Sequence, residues 1–108
     1  ELMSIRGGMN EFMRQAARLQ RRIEKRREEL KEETFEESAV NDRVKVKVSG
    51  ALEITAIEVD PGLLEEEGLE MVQDLIVAAS NAALARARET IDKEIEKVSA
   101  GLKIPGLV

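Results

Sequence analysis

Apolar residues recur along this 108-residue chain with two different periods. Between Met9 and Leu30, the residues Phe12, Ala16, Leu19, Ile23 and Leu30 fall at spacings of four, three, four and seven, with neither Gly nor Pro among them. That spacing predicts one long amphipathic helix, its seam interrupted only by Arg26. The period then changes. Val44, Val46 and Val48 alternate with Arg43, Lys45 and Lys47, the two-residue rhythm of a half-buried strand, and Ser49-Gly50 supplies a turn into a second strand. There Leu52, Ile54 and Ala56 hold one phase while Ile57 and Val59 take the other. Either a bulge falls near Ala56 or both faces of the sheet are covered. Phe35 to Val40 reads as a third, shorter strand, and Asp60-Pro61-Gly62 closes the sheet region because Pro61 fixes its φ and Gly62 tolerates a sharp turn.

After an acidic turn, "LLEEEG", a second helix is expected from about Leu69 to Val98, about 45 Å long at ~1.5 Å per residue. Its apolar face rotates. Leu69, Val72, Leu75, Ile76, Ala79 and Ala83 lie together, whereas Leu84, Ala87, Ile91, Ile95 and Val98 centre roughly 100° further round. Two different surfaces must therefore cover it. A compact domain of this length has a radius of gyration of only about 13 Å, so the helix must project. Its distal apolar half calls for a partner, most simply a second copy of the chain. Leu84, Ile91, Ile95 and Val98 are the expected homodimer interface. The predicted class is α+β: an α-β-β-β-α protomer with two long helices and a small antiparallel sheet, homodimeric. Residues 1–8 read as an N-terminal extension or added remnant, 9–98 as the folded domain, and 99–108, "SAGLKIPGLV", as an extended tail whose apolar content suits docking on the partner.

Composition narrows the chemistry. There is no Cys and no His, which removes disulfides, thiolate nucleophiles and the commonest general base and metal ligand. No apolar run approaches the ~20 residues of a membrane span, and "ELMSIRGG" lacks a signal peptide's apolar core. A cytoplasmic protein is expected, with no membrane partner. The carboxylates, in "EKRREELKEE" and "LLEEEGLE", are arranged as solvated helical surface without an accompanying nucleophile, base or phosphate loop. No enzyme, metal site, cofactor or small-molecule substrate is expected. Ser80 and Asn81, in the small-residue stretch "AASNAALARA", read as buried polar contacts where helices pack.

Charge changes the picture most. The run Arg14 to Arg27 holds seven basic residues and one acid, a charge of +6, in a chain of formal net charge −5, which leaves −11 for everything else. On the helix, Arg14, Arg18, Arg21 and Lys25 cluster opposite the apolar seam, with Arg22 and Arg26 on the flank. Past Lys25 the outer stripe turns acidic at Glu28 and Glu32, so the patch ends after roughly 17 to 20 Å. Only Phe12 and Phe35 are aromatic, too few for the stacking platforms of single-strand binding, so double-stranded DNA is the better nucleic-acid candidate. A solubilising helix face is the bland alternative, and Arg43, Lys45 and Lys47 read more simply as the wet face or protected edge of the sheet.

Four stretches in order, "MRQAARLQ", "AIEVDPGLL", "EMVQDLIVAASNAALARA" and "GLKIPGL", give the chain a resemblance to the YbaB/EbfC family of bacterial nucleoid-associated proteins, from about Met9 onward. The resemblance implies a tight homodimer with projecting helices that binds DNA in the cytoplasm and helps organise the nucleoid, without active site or cofactor. It turns the basic stripe into the expected DNA contact: Arg14, Arg18, Arg21, Arg22 and Lys25, chosen by geometry. Arg26 and Arg27, nearer the seam, are expected to pair with acids across the dimer. The competing class is an acidic homodimeric adaptor or chaperone-like module that presents the stripe to another protein.

Overall fold

The computed structural model describes residues 2–99 of the chain. Its elements are α1 (Leu2–Lys31), β1 (Thr34–Ala39), β2 (Val44–Ser49), β3 (Ile54–Val59), α2 (Pro61–Glu67) and α3 (Leu69–Val98). The strands form one antiparallel sheet in the order β1-β2-β3, and the architecture is α+β as expected. Two boundaries differ from the sequence reading. α1 begins at Leu2 rather than Met9 and runs straight through Gly7 and Gly8. The "LLEEEG" turn is a short helix: Asp60 accepts a hydrogen bond from the Gly62 N–H at 2.9 Å, and Pro61 occupies the first helical turn, where its missing N–H costs nothing. Gly68, at φ +86°, separates α2 from α3.

The sheet is polar on one face and apolar on the other. In β2 the three valines are fully buried and the residues between them half-buried. Lys47 stands opposite Glu36 and Lys45 opposite Glu58 across the ladders, an opposite-charge pattern that suits a solvated face. The bulge is real. Lys47 pairs with Ala56 but Val48 with Ile54, so Thr55 is the extra residue, and its hydroxyl donates to the Lys47 carbonyl at 3.2 Å. The slip brings Ile54 and Ile57 onto the same face as Val46 and Val48.

The two halves of α3 are covered by different elements. Its N-terminal half packs through Ala79, Ala83 and Ala87 on Phe35, Val46 and Val48, and through Val72 on Val44 and Leu63. It lies over β1 and β2 rather than β3. Its C-terminal half meets α1, which returns antiparallel to it, and Ile95 is buried among Leu19, Ile23 and Leu30, with Ile91 and Val98 partly covered by the same cluster. The rotating apolar face thus does serve two surfaces. The second, however, is a helix of the same chain, and Ile95 is only 2% exposed within one protomer. The sequence pattern could not distinguish these covers, because α1 offers the same kind of apolar stripe as a second copy would.

One glycine makes the junction of sheet and helix possible. A Cβ on Gly50 would sit 1.7 Å from the Leu30 carbonyl oxygen, and its N–H donates to the Glu33 carbonyl at 3.0 Å. Only a residue without a side chain lets the β2–β3 turn lie against the end of α1. The molecule is elongated, 78 × 19 × 17 Å, with a radius of gyration of 21.2 Å. α1 extends well past the end of α3 and leaves Met9, Phe12 and Met13 exposed.

Candidate nucleic-acid interface

A 30-residue helix sets out the basic side chains. Arg14, Arg18, Arg21, Arg22 and Lys25 are all exposed, and eleven residue steps from Arg14 to Lys25 cover about 16 Å at ~1.5 Å per residue. Arg14 is engaged locally: its guanidinium lies 3.0 Å from Glu11, one turn away and exposed, a pair of little energetic weight. Among the described residues, no carboxylate lies within ion-pair distance of Arg18, Arg21, Arg22 or Lys25. Their charges are free to meet a polyanion.

These four do not stand wholly back to back with the apolar seam. They rim a groove of about 750 Å³ whose apolar lining is Phe12, Ala16, Leu19 and Val98. Long cationic side chains reach round the helix flank while their stems cover apolar surface, so the site is a cationic rim above an apolar floor.

Arg26 behaves differently. It sits half-buried at the α1–α3 contact, where Nη2 donates to the Glu94 carboxylate and Nη1 to Glu29 at 3.4 Å, with Glu33 3.8 Å away. Its acids come from its own chain, not from across a dimer, because the antiparallel return of α1 sets Glu94 opposite the gap in the seam. The Glu94 carboxyl is held below the usual range first by Lys97, 2.8 Å away, and then by Arg26; the Arg26 guanidinium is held above its own mainly by Glu94. Arg27 is exposed and borders a small cleft of about 260 Å³ with Leu52, Arg88 and Ile91. Arg43, just before β2, donates to Asp60 and to Glu66, each at 2.8 Å, tying the start of β2 to the start and the end of α2. This raises the Arg43 guanidinium, chiefly through Glu66, and lowers Glu66 and Asp60, the latter first through its cap bond from Gly62. Sequence reasoning missed both clamps. A cation breaking an apolar seam was the available signal for Arg26, since such a charge needs an acid on the facing element.

The dimer-interface candidates are divided. Leu84 is half-buried against the Phe35–Val46–Val48 cluster, Ile91 and Val98 are partly covered, and Ile95 is enclosed by α1. The largest uncovered apolar side chains of the sheet are instead Ile54 and Ile57, 47% and 46% exposed. Ser80 is buried as expected, but Asn81 points outward. No group of three or more carboxylates that could hold a metal occurs among the described residues, and no helix there is long and apolar enough to cross a membrane.

The structure thus presents an exposed cationic helix on an α+β scaffold. Residues 6–102 match the model of the YbaB/EbfC DNA-binding family, and the chain belongs to that family. It is 43% identical over 99 residues to a nucleoid-associated protein of Alkaliphilus metalliredigens, covering 92% of this chain and 87% of that one. A nucleoid-associated protein of Pelotomaculum thermopropionicum is 41% identical over 101 residues, with 94% and 96% covered. One from Myxococcus xanthus is 42% identical over 99 residues, with 92% and 94% covered.

Proposed function

We propose that the protein binds double-stranded DNA as a homodimer, mainly through phosphate contacts from Arg14, Arg18, Arg21, Arg22 and Lys25, and acts in nucleoid organisation or gene regulation. The observation that carries this reading is the set of four cations with no ion-pair partner among the described residues, on a chain otherwise strongly acidic. Family membership and the names of the relatives support DNA as the polyanion. Phosphates along B-DNA supply about one charge per 1.7 Å of axis, so a stripe of this length faces on the order of ten of them. The acidic remainder keeps the protein soluble and confines binding to one surface per protomer. For the dimer, support comes from Ile54 and Ile57, apolar, on the core face of the sheet and beyond the cover of α3, with Leu84 nearby on the cluster they adjoin. The interface proposed is this strip, continued by Ile91 and Leu52 and with Val98 at its margin. Ile95 supports it from beneath.

Titrating duplex binding against salt tests the proposal. Log affinity should fall with log salt at a slope of roughly −0.9 per phosphate neutralised, with similar values for unrelated sequences. Changing Arg18 and Arg21 together to Ala should weaken all duplexes alike and flatten the slope by roughly one unit per lost contact. Unchanged affinity and slope would remove the stripe from the site. Absence of duplex binding even at low salt would favour the protein-adaptor reading.

A further inference from the structure

The groove between α1 and the end of α3 joins features that DNA binding does not use. Its floor is apolar, and beyond it the arm of α1 carries Met9, Phe12 and Met13, each more than half exposed. Three large apolar side chains at helical spacing on a projecting arm form a stripe that nothing in α3 reaches, because α3 stops at Val98. The chain leaves α3 inside the groove wall. Ser99 lines the groove, is 2% exposed, and is held by its hydroxyl on the Glu96 carbonyl at 2.9 Å and its N–H on the Ile95 carbonyl at 3.0 Å. Residues 100–108, "AGLKIPGLV", follow directly.

We propose that the segment Ala100–Val108 of the same chain packs in this groove and along the exposed stripe of α1. Reach permits it: nine residues extend to about 30 Å at ~3.3 Å each, whereas Leu19 to Met9 is ten helical steps, about 15 Å. Pattern permits it too. In an extended chain Leu102 and Ile104 share one side and Lys103 the other, so the apolar pair meets the floor around Ala16 and Phe12 while Lys103 is turned outward. Pro105 lacks the N–H that a strand would need to pair, and suits a chain laid against a helix with no ladder. Charge selects this occupant over the same groove of a second copy. A second copy would bring another Arg18, Arg21, Arg22 and Lys25 against the first, and like charges juxtaposed are costly. The tail segment carries one cation and no acid in nine residues. The arm and the tail then form one unit, with the arginine stems sealing its edge.

Because the chain has neither Cys, Trp nor Tyr, the full-length protein can be probed without background. Two double variants, Ala16→Cys with Ile104→Cys and Phe12→Cys with Leu107→Cys, should under mild oxidation lose most of their free thiol in at least one pair and migrate as a single chain in denaturing gels. A disulfide-linked double chain would assign the groove to the tail of another copy and overturn the same-chain placement. Free thiols in both pairs would overturn the groove assignment itself. In a separate variant, Ile104→Trp, the sole indole should emit to the blue of a free peptide, and adding Ala16→Asp should abolish that shift while far-ultraviolet circular dichroism is preserved. A solvent-like emission before the second change would equally refute the proposal. Neither readout depends on DNA, so failure here is distinguishable from failure of the DNA-binding reading.

Discussion

Arg26 and Arg22 stand four residues apart on one helix and do opposite things. Arg26 is drawn into the α1–α3 contact, where Glu94, Glu29 and Glu33 surround it; Arg22 hangs over the groove with no acid in reach among the described residues. The difference comes from the facing element. Where α3 runs alongside α1 it supplies the Glu94 carboxylate, which joins Glu29 near the end of α1 and Glu33 just past it, and where α3 ends the arginines remain uncompensated among the described residues. A cation enclosed by its own chain's acids has its charge already spoken for, so it fixes helix register and offers little to a ligand. The same residue type one turn earlier is exposed and keeps its charge uncompensated among the described residues.

The largest effect that would break this comparison lies beneath both arginines. Ile95→Asp would bury an unpaired charge among Leu19, Ile23 and Leu30, and such changes cost on the order of 3–5 kcal/mol. Loss of the cooperative thermal transition is expected, checked by circular dichroism, with DNA binding lost as a consequence. By contrast, Ile54→Asp with Ile57→Asp alters half-exposed positions. It should leave each protomer folded and shift sedimentation from dimer to monomer; an unchanged dimer would move the interface elsewhere.

Next in size is the exchange of roles between the two arginine classes. Arg26→Ala should lower the melting temperature while leaving the salt slope of DNA binding intact, whereas Arg18→Ala with Arg21→Ala should do the reverse, since exposed substitutions shift stability by only ~0.5 kcal/mol. Equal effects on both readouts would dissolve the distinction. Acid sharpens it further. The folded pKa values of Glu94, Glu66 and Asp60 lie below their ordinary values, so the stability they contribute is present above the unfolded carboxylate pKa, about 4. That contribution is lost as pH falls through the folded values. Melting temperature should therefore drop on acidification below about pH 5, and the drop should be shallower in a variant lacking both Arg26 and Arg43. The smallest effect expected touches neither class. Val40 is β-branched at φ +54° in the β1–β2 turn, a conformation Asn tolerates better. Val40→Asn should stabilise by up to about 1 kcal/mol with DNA affinity unchanged.

What was legible in the sequence was what local periodicity encodes. α3 begins and ends at the expected Leu69 and Val98, and β1 and β2 lie where the alternation placed them, because side-chain direction in both elements follows from backbone geometry alone. The bulge was foreshadowed by the phase change at Ala56, and the structure puts the extra residue one position earlier. α2 was hidden by its brevity, although Asp60-Pro61 is a helix-start signal. What covers an apolar stripe is a different kind of question. Leu19 and Ile23 on one helix and Ile91 and Ile95 on the other advertise contact surfaces without naming their partners, so the stripe at Ile95 read as a dimer contact, whereas within one chain Ile95 already packs against α1. Arg26 was misplaced for the same reason: its acid lies 68 residues away in sequence. The exposure of Arg18, Arg21, Arg22 and Lys25 was correctly expected because it needs no long-range knowledge. The groove they border was not, since it exists only where α3 stops.

The 78 Å length against a 17–19 Å cross-section also governs how the particle moves through water. A rod of that aspect ratio has a hydrodynamic radius well above that of a sphere of equal mass, so a single chain will elute from a sizing column earlier than its 12.0 kDa would suggest. Column retention calibrated on compact standards would then report two chains where there is one. Mass from light scattering or sedimentation equilibrium is independent of shape, and for a particle built like this it is the measurement that counts chains.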